Sequence, residues 1–76
     1  MPPRLPRISG EETITVLRRL GFTVSRQRGR HVILKKRTSN EEIGCVVPLH
    51  HELAMGTLRS ILRQARVSPE ELVENL

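Results

Sequence analysis

One histidine in this sequence lies within a dense group of positive charges. His31 follows a turn glycine, and six cationic side chains fall between positions 26 and 37: Arg26, Arg28, Arg30, Lys35, Lys36 and Arg37. An imidazole can take up or release a proton near neutral pH, and neighbouring cations stabilise the charge that grows on a reacting phosphate. These residue types suit metal-free RNA cleavage, in which His31 serves the ribose 2′-hydroxyl or the leaving 5′-oxygen. Taken alone, a strand histidine is more often a packed or solvated residue.

Other catalytic patterns are incomplete. The segment from His51 begins like the H-E-x-x-H zinc motif, but Met55 stands where the second histidine is needed. His50 and His51 are adjacent and point in different directions on regular structure. Cys45 lies in an apolar stretch, where a thiol is usually inert. The chain contains no aspartate, so a Ser-His-Asp set cannot form. We therefore expect no metal ion and no cofactor.

A second group of arginines has two interpretations. Arg59, Arg63 and Arg66 follow one another at helical spacing. They form either the solvated face of an amphipathic helix or a track for phosphates. Proteins that bind single strands usually stack bases on aromatic rings, whereas Phe22 is the only aromatic residue here. Any contact with RNA should therefore be made largely to phosphate and ribose.

Composition supports a polyanionic partner. The 76 residues include 13 Lys and Arg against eight Asp and Glu, a net charge of +5. Such a balance favours nucleic acid, although a small protein can also be basic merely for solubility. A single cysteine suits a reducing compartment, and neither a membrane-spanning run nor the apolar centre of a signal peptide is visible. We expect a cytoplasmic protein without a membrane contact.

The N-terminal part of the sequence predicts an arm followed by the first helix of the domain that holds the candidate residues. Residues 1–8 contain three prolines and predict a flexible, extended arm, with a single domain over 9–76. Ser9 and Glu12 form a capping box that begins a helix at about 10–20, with an apolar stripe on one face. The apolar stripe of this helix consists of Ile14, Leu17 and Leu20. Gly21 follows at the position where a left-handed residue commonly ends a helix.

Alternation of period two then predicts a three-stranded meander. The first strand begins at Phe22, the second covers 32–34, and the third covers 45–47 and ends at Pro48. We expect a three-residue loop with Gly29 in the left-handed position, so that Val24 faces Val32. His31 then lies on the open side of the sheet beside Thr23 and Ser25. A two-residue Arg28-Gly29 turn would instead place His31 on the side of Phe22.

Two helices complete the pattern. An apolar stripe predicts a second long helix whose start is capped by Gly56 or Thr57, and Ser68, Pro69 and Glu71 predict a short helix at about 69–75. The stripe of the second long helix consists of Leu58, Ile61, Leu62 and Ala65. The order α-β-β-β-α-α indicates an α+β fold, with two helices on one face of an antiparallel sheet and a short C-terminal helix.

From about Ile8 to Leu72 the sequence resembles the HicA toxins, also called YcfA-like mRNA interferases. The matching segments are Leu20-Gly21-Phe22, RQRGRH at 26–31, Val47-Pro48-Leu49-His50, and Gly56-Thr57-Leu58 followed by ILRQA at 61–65. The resemblance implies a double-stranded-RNA-binding-domain-like α-β-β-β-α fold. It also implies cleavage of mRNA without the ribosome, a HicB-type antitoxin that covers the active site, and a catalytic role for His31.

Two positions depart from the family pattern. Arg30 stands where the family usually has the serine of a Gly-Ser-His step, and Arg66 stands where a glycine usually closes the second helix. His50 matches a family position, which we interpret as structural or secondary to His31. The expected RNA contacts are Arg26, Arg28, Arg30, Lys35, Lys36, Arg59 and Arg63.

Three functions remain open at this point. The first is an RNA-cleaving toxin, the second a noncatalytic RNA-binding module of the same fold, and the third a domain whose basic face binds an acidic protein. Both RNA hypotheses predict binding that weakens with salt. Only the first predicts products with 2′,3′-cyclic phosphate ends.

Overall fold

A computed structural model describes residues 4–76, which form an α+β fold with one layer of helices and one β-sheet. The predicted order α-β-β-β-α-α is confirmed, and the strands form an antiparallel sheet in the order β1-β2-β3. The elements are α1 (Gly10–Arg19), β1 (Thr23–Arg28), β2 (His31–Arg37), β3 (Glu42–Pro48), α2 (Met55–Ala65) and α3 (Pro69–Glu74). β2 and β3 are longer than predicted, because their backbone pairing continues beyond the predicted segments, from His31 opposite Pro48 to Arg37 opposite Glu42.

The β1–β2 register differs from the prediction. Gly29 and Arg30 form a two-residue turn, so that Arg28 rather than Ser25 faces His31. Gly29 has a φ of 57° and Arg30 has no positive φ, which fits a type II′ turn with glycine at its first central position. The ladder shifts between Val24 and Arg26, where Ser25 has no partner. Val24 consequently faces Leu34 instead of Val32.

The core lies between one face of the sheet and the helices. Val32, Leu34, Cys45 and Val47 alternate along β2 and β3 and are buried, as is the predicted stripe of α2. On α1 the buried face is shifted from the predicted stripe: Leu17 is buried with Val16 and Thr13, while Ile14 and Leu20 are only half-buried. The helices therefore cover a single face, and within residues 4–76 no layer lies over the other face of the sheet.

Local signals set most of the helix ends. The capping boxes of Ser9 with Glu12 and of Ser68 with Glu71 are both present, and Gly21 follows α1 with a φ of 100°. The predicted cap of α2 at Gly56 or Thr57 is wrong, because both residues lie inside the helix. The helix begins at Met55 after Ala54, which offers no side-chain cap, so it starts where the chain leaves Leu53 buried in the core.

Arg66 ends α2 without the glycine of the family pattern. It adopts the left-handed conformation itself, with a φ of 58°. Its guanidinium pairs with the carboxylate of Glu41 in the β2–β3 loop. A residue with a Cβ is strained in this conformation, and the exposed ion pair offsets only part of that cost.

The segment before α1 contacts the domain. The arm predicted for residues 1–8 lies partly outside the described residues; in the part that is described, Ile8 is buried and Leu5 packs against the core. The carbonyl oxygen of Ile8 accepts a hydrogen bond of 2.8 Å from the Leu53 amide, and Arg7 pairs with Glu52. The packed domain thus begins before residue 9.

Candidate active site

The uncovered face of the sheet, called here the open face, carries the candidate catalytic residue. Residues two apart on one strand share a face, and so do cross-strand partners. Since Val32 and Leu34 point to the core, His31, Ile33 and Lys35 point away from it. The open face therefore consists of Arg28, His31 and Pro48 in one row, Arg26, Ile33 and Val46 in the next, then Thr23, Lys35 and Gly44, and last Arg37 opposite Glu42.

His31 is exposed in the central strand, between Arg28 on β1 and Pro48 on β3. Directly opposed residues have Cβ atoms about 4.5–5.5 Å apart, so the Arg28 guanidinium is within reach of a group bound at the imidazole. The predicted accessibility of His31 is confirmed. The predicted β1–β2 register, with Ser25 opposite His31, is wrong. Alternation along β2 alone is enough to turn the ring outward.

The second row adds an apolar centre to the open face. Val46 is 43% exposed and Ile33 is half-buried, beside Arg26. In the third row Lys35 pairs with Glu42, at 3.4 Å between Nζ and Oε1. Arg26 and Arg28 have no acidic partner within residues 4–76. The strongest unneutralised charge on this face therefore lies on β1, beside His31.

Two of the predicted RNA contacts lie off the open face. Lys36 points to the helix side of the sheet, where its Nζ lies 5.8 Å from the centre of the Phe22 ring. Arg30 lies in the β1–β2 turn, and its Nη2 donates to the carbonyl oxygen of Leu49 at 2.9 Å. The structure thus separates both side chains from Arg26, Arg28 and Lys35.

Arg59 and Arg63 form a separate basic surface on the helix layer. They are exposed on α2, whose opposite face packs into the core. Both line a groove of about 420 Å³ together with Arg4 and with Leu5, Leu62, Val67 and Pro69. None of these residues belongs to the sheet. The predicted RNA contacts are therefore divided between two surfaces.

The remaining candidate groups do not form a catalytic centre. Within residues 4–76 no cluster of three or more His, Cys, Asp or Glu side chains could hold a metal ion. Burial of Cys45 raises the pKa of its thiol to about 11, which disfavours the nucleophilic thiolate. His50 and His51 are exposed and line a cleft beside Arg30, at the end of the sheet.

The sequence reasoning missed two features of this site. It did not pair Arg28 with His31, and it did not bring Ile33 and Val46 together as an exposed apolar centre. The first could have been found, because Gly29 followed by Arg30 fits a two-residue type II′ turn, which has glycine at its first central position. The second depends on the β2–β3 register, for which the intervening loop offers no specific turn motif.

Comparison with known protein families decides the assignment. A family model described as "HicA toxin of bacterial toxin-antitoxin" matches residues 10–67. The chain belongs to the HicA toxin family. The match runs from the first residue of α1 to Val67, just beyond α2, so it includes the whole sheet and the open face of this HicA toxin. A comparison with curated proteins found no match.

Family membership gives the protein its biological setting. A HicA protein is the toxin of a toxin–antitoxin system, and its partner is an antitoxin. None of the helices within residues 4–76 of this HicA toxin is both long and apolar enough to cross a membrane.

Proposed function

We propose that this toxin is an mRNA endoribonuclease that acts without the ribosome and without a metal ion, with His31 as its single catalytic residue. The observation that carries the proposal is the position of His31: it is exposed on the central strand of the open face, directly opposite Arg28, which has no acidic partner within residues 4–76. An imidazole beside a guanidinium supplies both a proton acceptor and a counter-charge for phosphate.

In the proposed reaction the ribose 2′-oxygen attacks the adjacent phosphorus as His31 takes the 2′-hydroxyl proton. The bond from phosphorus to the 5′-oxygen breaks, and the leaving oxygen gains a proton from solvent. The ring then returns its own proton to water, so the products are a 2′,3′-cyclic phosphate and a 5′-hydroxyl end. Arg28 stabilises the charge on the nonbridging oxygens during the attack.

Binding of the substrate rests on phosphate contacts. Arg26, Arg28 and Lys35 lie on the open face, and Ile33 and Val46 offer an apolar surface to riboses or bases between them. Arg59 and Arg63 supply further phosphate contacts away from the site of cleavage, while Lys36 acts from the helix side of β2 and Arg30 from the turn at the end of the sheet. Since mRNA is the proposed substrate, we place the protein in the cytoplasm.

The antitoxin partner, proposed to be of the HicB type, should cover the open face. Such a complex blocks the RNA, and an acidic partner surface matches the charge of Arg26, Arg28 and Arg37. Ile33 and Val46 would form the apolar centre of that interface, because apolar cores with polar rims are typical of protein–protein contacts. A complex in which His31 stays open to solvent would contradict this arrangement.

The test is the chemistry of the products. A mixed-sequence mRNA transcript and its DNA copy are incubated with the purified protein, with and without a chelator such as EDTA. We expect cuts in RNA only, with 2′,3′-cyclic phosphate ends and no effect of the chelator. RNA binding that weakens with salt but yields no cuts would support a noncatalytic module, and no RNA affinity at any salt would support a protein-binding domain.

A further inference from the structure

The cleft beside Arg30 lies at the end of the sheet next to the open face. It has a volume of about 260 Å³ and is formed by the start of α1, the β1–β2 turn and the segment that follows β3. The residues that line it are Ser9, Glu11, Arg30, Leu49, His50 and His51. The proposed function gives Arg30 a general phosphate contact and gives the other residues of the lining no task.

Three hydrogen bonds hold the cleft in shape. The Leu49 amide donates to the Arg30 carbonyl oxygen at 2.8 Å, and Arg30 Nη2 donates to the Leu49 carbonyl oxygen at 2.9 Å. The Gly10 amide donates to the His50 carbonyl oxygen, also at 2.9 Å. The segment after β3 is therefore fixed between α1 and the turn, and the exposed rings of His50 and His51 have a rigid support.

The position of the cleft links it to His31. Arg30, in the β1–β2 turn, immediately precedes His31, and Leu49 immediately follows Pro48, the partner of His31 at the end of β3. One residue along a strand is roughly 3.3 Å, so the cleft begins about that distance beyond the row that holds the imidazole. An RNA strand that crosses His31 and continues past the β1–β2 turn would bring its next phosphate to this end of the sheet.

The chemistry of the cleft favours an anion. Arg30 supplies guanidinium donors besides the Nη2 contact, and two histidines offer ring N–H groups. Glu11 is the one acidic residue in the lining, and it faces the cleft from α1. A bound phosphate would therefore sit on the side of Arg30 and the two histidines, away from the Glu11 carboxylate.

We propose that this cleft binds the RNA backbone phosphate next to the one that is cleaved, through Arg30, His50 and His51. The inference rests on the proposed function, since it assigns a subsite to the same RNA. It gives the arginine that replaces the family's serine at position 30 a role in holding substrate. These three residues bind and position RNA and take no part in the proton transfer.

The first test does not depend on cleavage. Inorganic phosphate is titrated into the isotope-labelled full-length protein, and the NMR signals of Arg30, His50 and His51 are followed. We expect these signals to shift in the wild type and equally in His31→Ala, and Glu11→Gln to bind phosphate more tightly because it removes the opposing charge. An absence of shifts at these residues would overturn the proposal, whether or not the protein cuts RNA.

The second test separates binding from chemistry. Arg30→Gln and His50→Gln should each raise the KM for RNA about five- to tenfold with little change in kcat, since they remove binding that substrate and transition state share. Arg18→Gln, which removes an equal charge near the far end of α1, should leave both constants unchanged. Thermal unfolding of each variant confirms that it is folded.

Two results of the second test would count against the subsite. An unchanged KM in both cleft variants would overturn it. If the variants instead weaken only the complex with the antitoxin, the cleft belongs to the protein interface and the proposal is wrong. If the wild type cuts no RNA, the proposed function fails, and the affinity of the same variants for 2′-O-methyl RNA replaces KM as the measurement.

Discussion

Arg28 lies directly opposite His31 across the β1–β2 pair, so the two side chains share the open face of the sheet. The pair closes the two-residue turn of Gly29 and Arg30, which is a tight connection with little freedom to change the register. The hairpin itself therefore fixes the two backbone positions opposite each other and keeps the exposed guanidinium within reach of a group bound at the imidazole.

The first prediction concerns this pair. Arg28→Gln should lower the single-turnover rate of RNA cleavage by about 10- to 100-fold, because a fixed cation beside the reacting phosphate stabilises the transition state. Arg59→Gln is the matched control, since it removes the same charge from the helix layer and should leave the rate at saturating RNA unchanged. Equal rates for Arg28→Gln and wild type would remove Arg28 from the reaction.

The second prediction concerns the two basic surfaces. Changing Arg59 and Arg63 together to Ala should weaken binding to all RNA sequences similarly and flatten its dependence on salt, by roughly 0.7 to 0.9 in slope for each lost phosphate contact. The measurement is RNA affinity over a series of salt concentrations. An unchanged slope would make these residues a solvated helix face.

The register shows how far the sequence could predict this site. Gly29 satisfies the need for a positive φ both in the predicted three-residue loop and in the observed two-residue turn, so the residue type alone could not choose between them. The irregularity at Ser25 shifts the register so that Val24 pairs with Leu34 and lies on the helix side of the sheet. No residue pattern in the sequence predicts this shift. His31 was still predicted to be accessible, because Val32 and Leu34 fix the orientation of β2.

Helix ends were predictable where a side chain caps them and less so elsewhere. Ser9 with Glu12 and Ser68 with Glu71 define their helices through local hydrogen bonds, which the sequence displays. The start of α2 depends on tertiary packing around Leu53, and no cap is present to mark it. The cleft beside Arg30 likewise brings together residues from three distant segments, a contact that local patterns cannot predict.

A third prediction tests the packing at that cleft. A Cβ at Gly10 would lie 2.1 Å from the carbonyl oxygen of Pro48, so Gly10→Ala should destabilise the protein by about 1–3 kcal/mol through overpacking. Gly56→Ala is the control, because nothing lies within 4 Å of its Cβ position in α2. It should stabilise the protein by about 0.5–1 kcal/mol. Urea unfolding of both variants provides the comparison.

A fourth prediction concerns the end of α2. Arg66→Gly should stabilise the protein by roughly 0.5–1 kcal/mol, because glycine relieves a left-handed conformation that costs other residues roughly 1–2 kcal/mol. Part of the gain is lost with the exposed Glu41 pair, which is worth at most about 1 kcal/mol. Glu41→Gln measures that part separately. A lower stability of Arg66→Gly than of Glu41→Gln would show that the strain is negligible.

The most direct test of the central claim is the single-turnover rate of RNA cleavage by His31→Ala, measured beside its free energy of unfolding. His31 is exposed on the open face, so its replacement should change stability by no more than about 0.5 kcal/mol. We predict a folded protein that still binds RNA and no longer cuts it. A folded His31→Ala that cleaves RNA at the wild-type rate would contradict the account.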